Sequence, residues 1–120
     1  MNIERRIGPR YSLQQLNCIG VLKSRKETSY IKMLNISQEG ILVQACKKLL
    51  PGEICILCLY TINYENKGMS IYVHAEVCHV ELNDNYYLIG LEFTHIHAQS
   101  ENFIAHFIDD ISAYKDQLHP

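Results

Sequence analysis

Six runs of β-branched and aromatic residues, each closed off by a turn signal, constrain this chain more than any other feature. They fall at about Cys18–Lys23, Ser29–Ile36, Gly40–Ala45, Glu53–Ile62, Met69–Val80 and Tyr86–Thr94. Val, Ile, Tyr and Thr suit a pleated surface, whereas Gly, Pro, Asn and Asp interrupt it. The interruptions are Arg25-Lys26-Glu27, Leu50-Pro51-Gly52, Asn63–Gly68 and Asn83-Asp84-Asn85. This spacing predicts antiparallel strands joined by short turns. The dozen residues from Met69 to Val80 predict a long strand that bends and pairs on both sides. Six strands of this kind shed their exposed edges by closing into a small barrel.

From about Ser100 the period changes. Phe103, Ile104, Phe107, Ile108, Ile111 and Tyr114 recur at helical spacing, with acids and amides between them. An amphipathic C-terminal α-helix is predicted, capped by Ser100 with Glu101 in its first turn. Its apolar stripe is expected to pack across the barrel, with an interface to another subunit as the alternative. The fold class is therefore mainly β, a six-stranded antiparallel β-barrel followed by one helix.

With 120 residues, 48% of them hydrophobic, the chain is the usual size of one domain and has enough apolar surface for a core. Residues 1–12 read as a flexible N-terminal arm and residues 13–120 as the barrel with its helix. No apolar run approaches the ~18 residues of a membrane-spanning helix. No signal peptide is visible either. A cytoplasmic protein without membrane insertion is expected. The net charge of −2 argues against a general binder of DNA or RNA.

The side chains that most often carry chemistry are present but poorly arranged for it. Cys18, Cys46, Cys55, Cys58 and Cys78 form an odd set, expected to be reduced thiols serving as small apolar residues. Cys55 and Cys58 make a CxxC, but it lies within Ile54–Tyr60, which reads as a buried strand. Residues three apart on a strand point to opposite faces, so these sulfurs cannot share a metal or close a redox disulfide. His95-Ile96-His97 has no carboxylate or cysteine at a convincing ligand spacing. His74 and His79, five apart on one strand, are expected on opposite faces. No nucleophile elbow, Walker-type phosphate loop or HExxH occurs. Neither an enzyme nor a metal or other cofactor is indicated.

Two short stretches stand apart from this pattern. The first is Glu4-Arg5-Arg6-Ile7-Gly8-Pro9-Arg10, with three arginines in six residues. A guanidinium fork pairs bidentately with phosphate oxygens or with the O6/N7 edge of guanine, and it stacks on purines. Gly8 and Pro9 favour a bent segment over a helix. The second is Asn35-Ile36-Ser37-Gln38-Glu39-Gly40, where strand alternation would place Asn35 and Ser37 on one face. Gly40 would permit a positive φ, or close approach of a backbone or a ligand. Taken singly, the first also reads as a solvated basic tail and the second as an ordinary turn.

Together the two stretches resemble the PilZ domain, a bacterial receptor module for cyclic di-GMP. That family pairs an RxxxR motif near its start with a (D/N)xSxxG motif further on. Here these read Arg6-Ile7-Gly8-Pro9-Arg10 and Asn35-Ile36-Ser37-Gln38-Glu39-Gly40. Tyr87-Leu88-Ile89-Gly90-Leu91-Glu92-Phe93 is similar to the family's late strand, and the likeness runs from about Glu4 to about Ile111. The resemblance implies a cyclic di-GMP site. Arg6 and Arg10 would clasp phosphate or guanine, Asn35 would accept from guanine N1–H and N2–H₂, and Ser37 would bond phosphate or a ring nitrogen. Gly40 would let the chain pass close beneath the base. Arg5 would either stack on a second, intercalated nucleotide or face solvent.

The function this implies is a stand-alone receptor that signals to an unidentified downstream protein through ligand-induced ordering of its arm. Two other readings stand beside it. One is a degenerate relative acting purely by protein–protein interaction, against which the intact arginines weigh. The other is single-stranded nucleic-acid binding, which needs a basic groove with aromatic platforms.

Overall fold

The computed structural model describes residues 11–12, 18–62 and 68–95, together with residues 102, 104, 105, 108 and 109. Seven antiparallel strands run through them: β1 (Tyr11–Ser12), β2 (Ile19–Lys23), β3 (Thr28–Ile36), β4 (Gly40–Ala45), β5 (Ile54–Ile62), β6 (Gly68–Asn83) and β7 (Tyr86–His95). The main ladder runs β3-β2-β5-β6-β7-β4, and β4 pairs back onto β3. That last pairing closes a six-stranded barrel. Six strands were expected, and each lies within a few residues of its predicted bounds.

β1 was not foreseen, because two residues carry no alternation to read. It occupies the edge of β3 beyond the end of β2. Tyr11 faces Ile36 and Ser12 faces Asn35, while β2 covers β3 from Thr28 to Lys32. β6 is longer than its apolar run, at 16 residues, and continues through Asn83. A two-residue turn follows, with Asp84 in the left-handed region at φ 52°, a conformation that Asp tolerates better than most residues.

Alternation fills the barrel. Leu22, Ile31, Met33, Val43, Leu57, Leu59, Val73, Val77, Ile89 and Leu91 all point inward and are buried in one cluster. Register shifts break the pattern between Met33 and Asn35 on β3 and, along the β6–β7 pairing, between His74 and Ala75 and between Val77 and His79. The shift between Val77 and His79 corrects an expectation from spacing. His74 and His79 are both exposed rather than on opposite faces, because the extra residue at the bulge reverses the alternation between them.

Leu50-Pro51-Gly52-Glu53 forms the expected turn, with Gly52 at φ 94° and Glu53 N donating to Leu50 O at 3.0 Å. Leu50 N in turn donates to the Glu53 carboxylate at 2.6 Å. The predicted C-terminal helix falls largely on residues outside the described ones. Ile104 and Ile108, four apart on its expected apolar stripe, are buried in the same cluster as the barrel interior.

Candidate functional site

β3 delivers Asn35 and Ile36 to the rim of the barrel, and the chain then turns through Ser37, Gln38 and Glu39 into β4. Asn35 is half-buried and lies between two strands, with Ser12 opposite on β1 and Leu42 opposite on β4. β3 ends at Ile36, so strand alternation does not extend to Ser37. Ser37 is 1% exposed.

The Ser37 hydroxyl is committed to its own turn. It accepts from Gly40 N at 3.2 Å and from Glu39 N at 3.3 Å, and it lies 3.4 Å from Gly40 O, to which it can donate. Ser37 N also donates to Gly40 O at 2.9 Å. A hydroxyl has one proton and two lone pairs, so these contacts use its whole capacity. The serine therefore shapes the loop that carries Asn35.

Gly40 has no positive φ. It is required by a close approach of backbone. A Cβ there would overlap the carbonyl oxygen of Leu91 and lie 3.3 Å from Leu91 C and 3.4 Å from Glu92 Cα. Gly40 pairs with Glu92, and Phe93 N donates to Glu39 O at 2.9 Å. The turn is thus fastened to β7 as well as to β3.

One group in this loop was missed by reading the motif alone. Glu39 Oε2 is buried and has no hydrogen-bond partner among the described residues. A buried acceptor without a donor costs stability. A carboxylate in this position can take a guanidinium fork or the paired N–H groups of a guanine edge. Its only signal in sequence was an acid at a variable position of the motif. Arg5, Arg6 and Arg10 lie outside the described residues.

The cysteines sit apart from this loop. Cys55 is buried inside the barrel and Cys58 is half-buried on its outer face, as residues three apart on a strand must be. Burial, with Glu53 adding to it, pushes the Cys55 thiol up to about 11. Burial also raises Cys18, and burial with the neighbouring Glu92 raises Cys78. Thiols held protonated in this way are poor nucleophiles.

A closed six-stranded barrel, with a serine-braced turn at one rim and a short N-terminal strand laid beside it, defines the class of this protein. The sequence matches the PilZ domain family over residues 4–110, and the chain belongs to that family. Among solved structures it is similar to the PilZ domain with c-di-GMP of YcgR from Escherichia coli. That match has a TM-score of 0.76 at 12% identity, covering 95% of this chain and 96% of the other.

It is also similar to the Bacillus subtilis inhibitor of motility MotI/DgrA, with a TM-score of 0.76 at 19% identity over 98% of this chain and 55% of that one. A third similar structure is the K. pneumonia MrkH–c-di-GMP complex, with a TM-score of 0.73 at 18% identity over 96% and 56%. At these identities the likeness is one of fold. The chain spans about half the length of MotI and of MrkH. Comparison with curated protein sequences finds no significant match.

Proposed function

We propose that this chain is a receptor for cyclic di-GMP that reports ligand occupancy to a partner protein. The observation that carries the reading is the register of β1. Tyr11 and Ser12 lie opposite Ile36 and Asn35, so the chain that leaves RxxxR is stitched to the strand that opens NxSxxG. Consecutive Cα atoms are about 3.8 Å apart, which ties Arg10 to the neighbourhood of Tyr11. The two residues that follow RxxxR are thereby paired with Asn35 and Ile36, the first two of NxSxxG, across the 24 residues of sequence between Arg10 and Asn35.

Cyclic di-GMP presents two phosphates and two guanines. Arg6 and Arg10 supply charge-assisted donors to phosphate or to guanine O6/N7. The half-exposed Asn35 amide reads the guanine edge. Ser37 acts first by holding the turn, since a direct bond to the ligand would displace one of its internal bonds. Gly40 lets β4 start against β7, and Glu39 offers its unpaired oxygen to an arginine or a guanine.

Binding orders the N-terminal arm, and the ordered arm is the surface a partner meets. Residues 1–9 contain little to bury beyond Ile3 and Ile7. Ordering them costs roughly 1–2 kcal/mol per residue, which ligand phosphates offset by bridging the arginines to the rim. An amphipathic C-terminal helix completes the fold by covering the barrel with Ile104 and Ile108.

Calorimetric titration with cyclic di-GMP, GMP and a short oligonucleotide tests the reading. Saturable binding is expected for cyclic di-GMP alone. Absence of binding to all three would replace the receptor with an adaptor that works without nucleotide.

A further inference from the structure

Gly90 is a strand glycine that packing does not require. A Cβ at Gly20 would meet Cys58 O at 2.8 Å, and one at Gly40 would overlap Leu91 O. Gly52 needs its positive φ. Gly90 has an ordinary φ, and a Cβ there would meet only His79, its Cβ at 3.5 Å and its carbonyl oxygen at 3.9 Å. The neighbouring bulge puts its extra residue into β6, so it does not call for a glycine in β7. A glycine inside a strand weakens it, and one that no backbone crowds is suited to the close approach of a ligand.

Register places Gly90 in a row that starts at the candidate site. Asn35 on β3 lies opposite Leu42 on β4, Leu42 opposite Gly90 on β7, and Gly90 opposite His79 on β6. Residues directly opposite in a ladder share a face. This row is on the outside of the barrel, with Asn35, Leu42 and Gly90 half-buried and His79 exposed. His79 joins it only through the bulge, where Cys78 is the extra residue after Val77. Bulges beside sites re-aim a side chain, and here the re-aimed imidazole stands next to the bare step of the row.

The row follows a curved wall. Six strands about 4.8 Å apart and tilted by about 45° give a circumference of roughly 40 Å. The three steps from Asn35 to His79 therefore climb about 10 Å and turn through about a quarter of the circumference. Gly90 is closer, two steps from Asn35.

We infer that one purine of the ligand lies on Gly90 and stacks against the His79 imidazole, an inference that rests on the cyclic di-GMP reading above. Bases stack on histidine as on other aromatic rings, and the glycine floor lets a flat ring come down to the backbone. His79 Nε2 lies 3.8 Å from Glu81 Oε2, beyond hydrogen-bond length, so the ring is not fixed there. Charge sets the direction in which the ligand lies. Glu92 follows Gly90 on the outer face of β7, and Glu81 lies opposite Leu88 on its other side. Two acids repel phosphate from this end and leave it to a neutral base, so the phosphates fall to Arg6 and Arg10. Stacking does not read the base, and selection of guanine stays with Asn35.

Calorimetric titration of the full chain with cyclic di-GMP, together with proton NMR of its six histidines, tests the inference. His79→Ala should weaken binding about tenfold, the size of one lost base–aromatic stack. His79→Phe, which keeps a stacking face, should bind within about threefold of wild type. Gly90→Val fills the floor and should also weaken binding about tenfold, with its urea midpoint showing an intact barrel. His74→Ala, on the same strand but outside the row, should bind as wild type does. The His79 ring protons, assigned by their loss in His79→Ala, should move upfield on adding ligand, through the ring current of the purine. Wild-type binding that survives His79→Ala or Gly90→Val unchanged overturns the inference. So does a His79→Phe that binds no better than His79→Ala, or ring protons that stay in place. A wild type that does not bind cyclic di-GMP overturns the receptor reading, and this inference with it.

Discussion

Gly40→Ala is the substitution whose outcome the structure fixes most tightly. The added methyl would overlap the Leu91 carbonyl oxygen and press on Leu91 C and Glu92 Cα at 3.3 and 3.4 Å. All three are backbone atoms, so no rotamer relieves the clash. β4 must move away from β7 at the Gly40–Glu92 pair. That motion pulls on the bond from Phe93 N to Glu39 O and on the Ser37 contacts to Gly40.

Overpacking of this kind costs about 1–3 kcal/mol, and each lost hydrogen bond adds about 1 kcal/mol. A loss of about 3 kcal/mol is expected. For a domain near this size it lowers Tm by roughly 10–20 °C. Two other glycines calibrate the result. A Cβ at Gly90 meets His79 Cβ at 3.5 Å, an ordinary contact, and Gly90→Ala should cost below about 1 kcal/mol. A Cβ at Gly52 meets nothing within 4 Å but sits at φ 94°, so strain alone should cost about 1 kcal/mol.

Urea and thermal unfolding of the three variants give the ranking. If Gly40→Ala proves no more destabilising than Gly52→Ala, the backbone crowding inferred at the rim is wrong. A variant that keeps wild-type stability yet loses nucleotide would make Gly40 a ligand contact instead.

The other predictions concern the ligand, the arm and one thiol. Arg6→Ala and Arg10→Ala should each weaken cyclic di-GMP binding about ten- to a hundredfold by calorimetry, at roughly 1.5–3 kcal/mol per charge-assisted contact, and binding should weaken further as salt rises. If Arg5 holds an intercalated second ligand, wild type should titrate at two nucleotides per chain and Arg5→Leu at one; a wild-type ratio of one removes that role. Hydrogen exchange of residues 2–12 should slow when cyclic di-GMP is added, and full protection before addition would move the switch elsewhere. Because the Cys55 thiol is raised from 9.0 to about 11 in the folded chain, the unfolded chain loses this proton first as pH climbs. Its stabilising contribution is whole below about pH 9 and fades as pH rises through about 11. Urea midpoints at neutral and alkaline pH should therefore fall less steeply for Cys55→Ala than for wild type.

How much of this was legible in sequence depended on whether a feature repeats. β2 to β7 announced themselves because a barrel strand repeats its demand every second residue, and Pro51-Gly52 and Asp84 marked where the demand stopped. β1 makes no such demand. Tyr11 and Ser12 pair with β3 because β2 has left the end of that strand uncovered, a fact of topology that no local window contains. The bulge at Val77–His79 was equally hidden, and it was enough to turn His79 to the same side as His74. Asn35, Ser37 and Gly40 were readable as a group, but their division of labour was not. Spacing put Asn35 and Ser37 on one face, whereas the end of β3 at Ile36 left the amide half-exposed and the hydroxyl buried. The double apolar face of β5 was visible as a buried strand, and only the fold shows that one of its faces lies open.

The turn reading and the site reading of residues 35–40 are not alternatives. Barrel closure depends on β4 pairing with both β3 and β7, and this loop is where β4 begins. Ser37 tightens the loop with its hydroxyl, Glu39 bonds β7 through its carbonyl, and Gly40 makes room for Leu91. Each acts on the barrel before any ligand arrives. The same geometry presents Asn35 half-buried at the end of β3, a Glu39 oxygen with no hydrogen-bond partner among the described residues, and β1 paired beside Asn35 and Ile36. A loop braced by closure of the barrel is preorganised, and preorganised groups lose less freedom when a ligand binds. Substitutions at Ser37 or Gly40 should therefore lower stability and affinity together, whereas those at Arg6 and Arg10 should lower affinity alone.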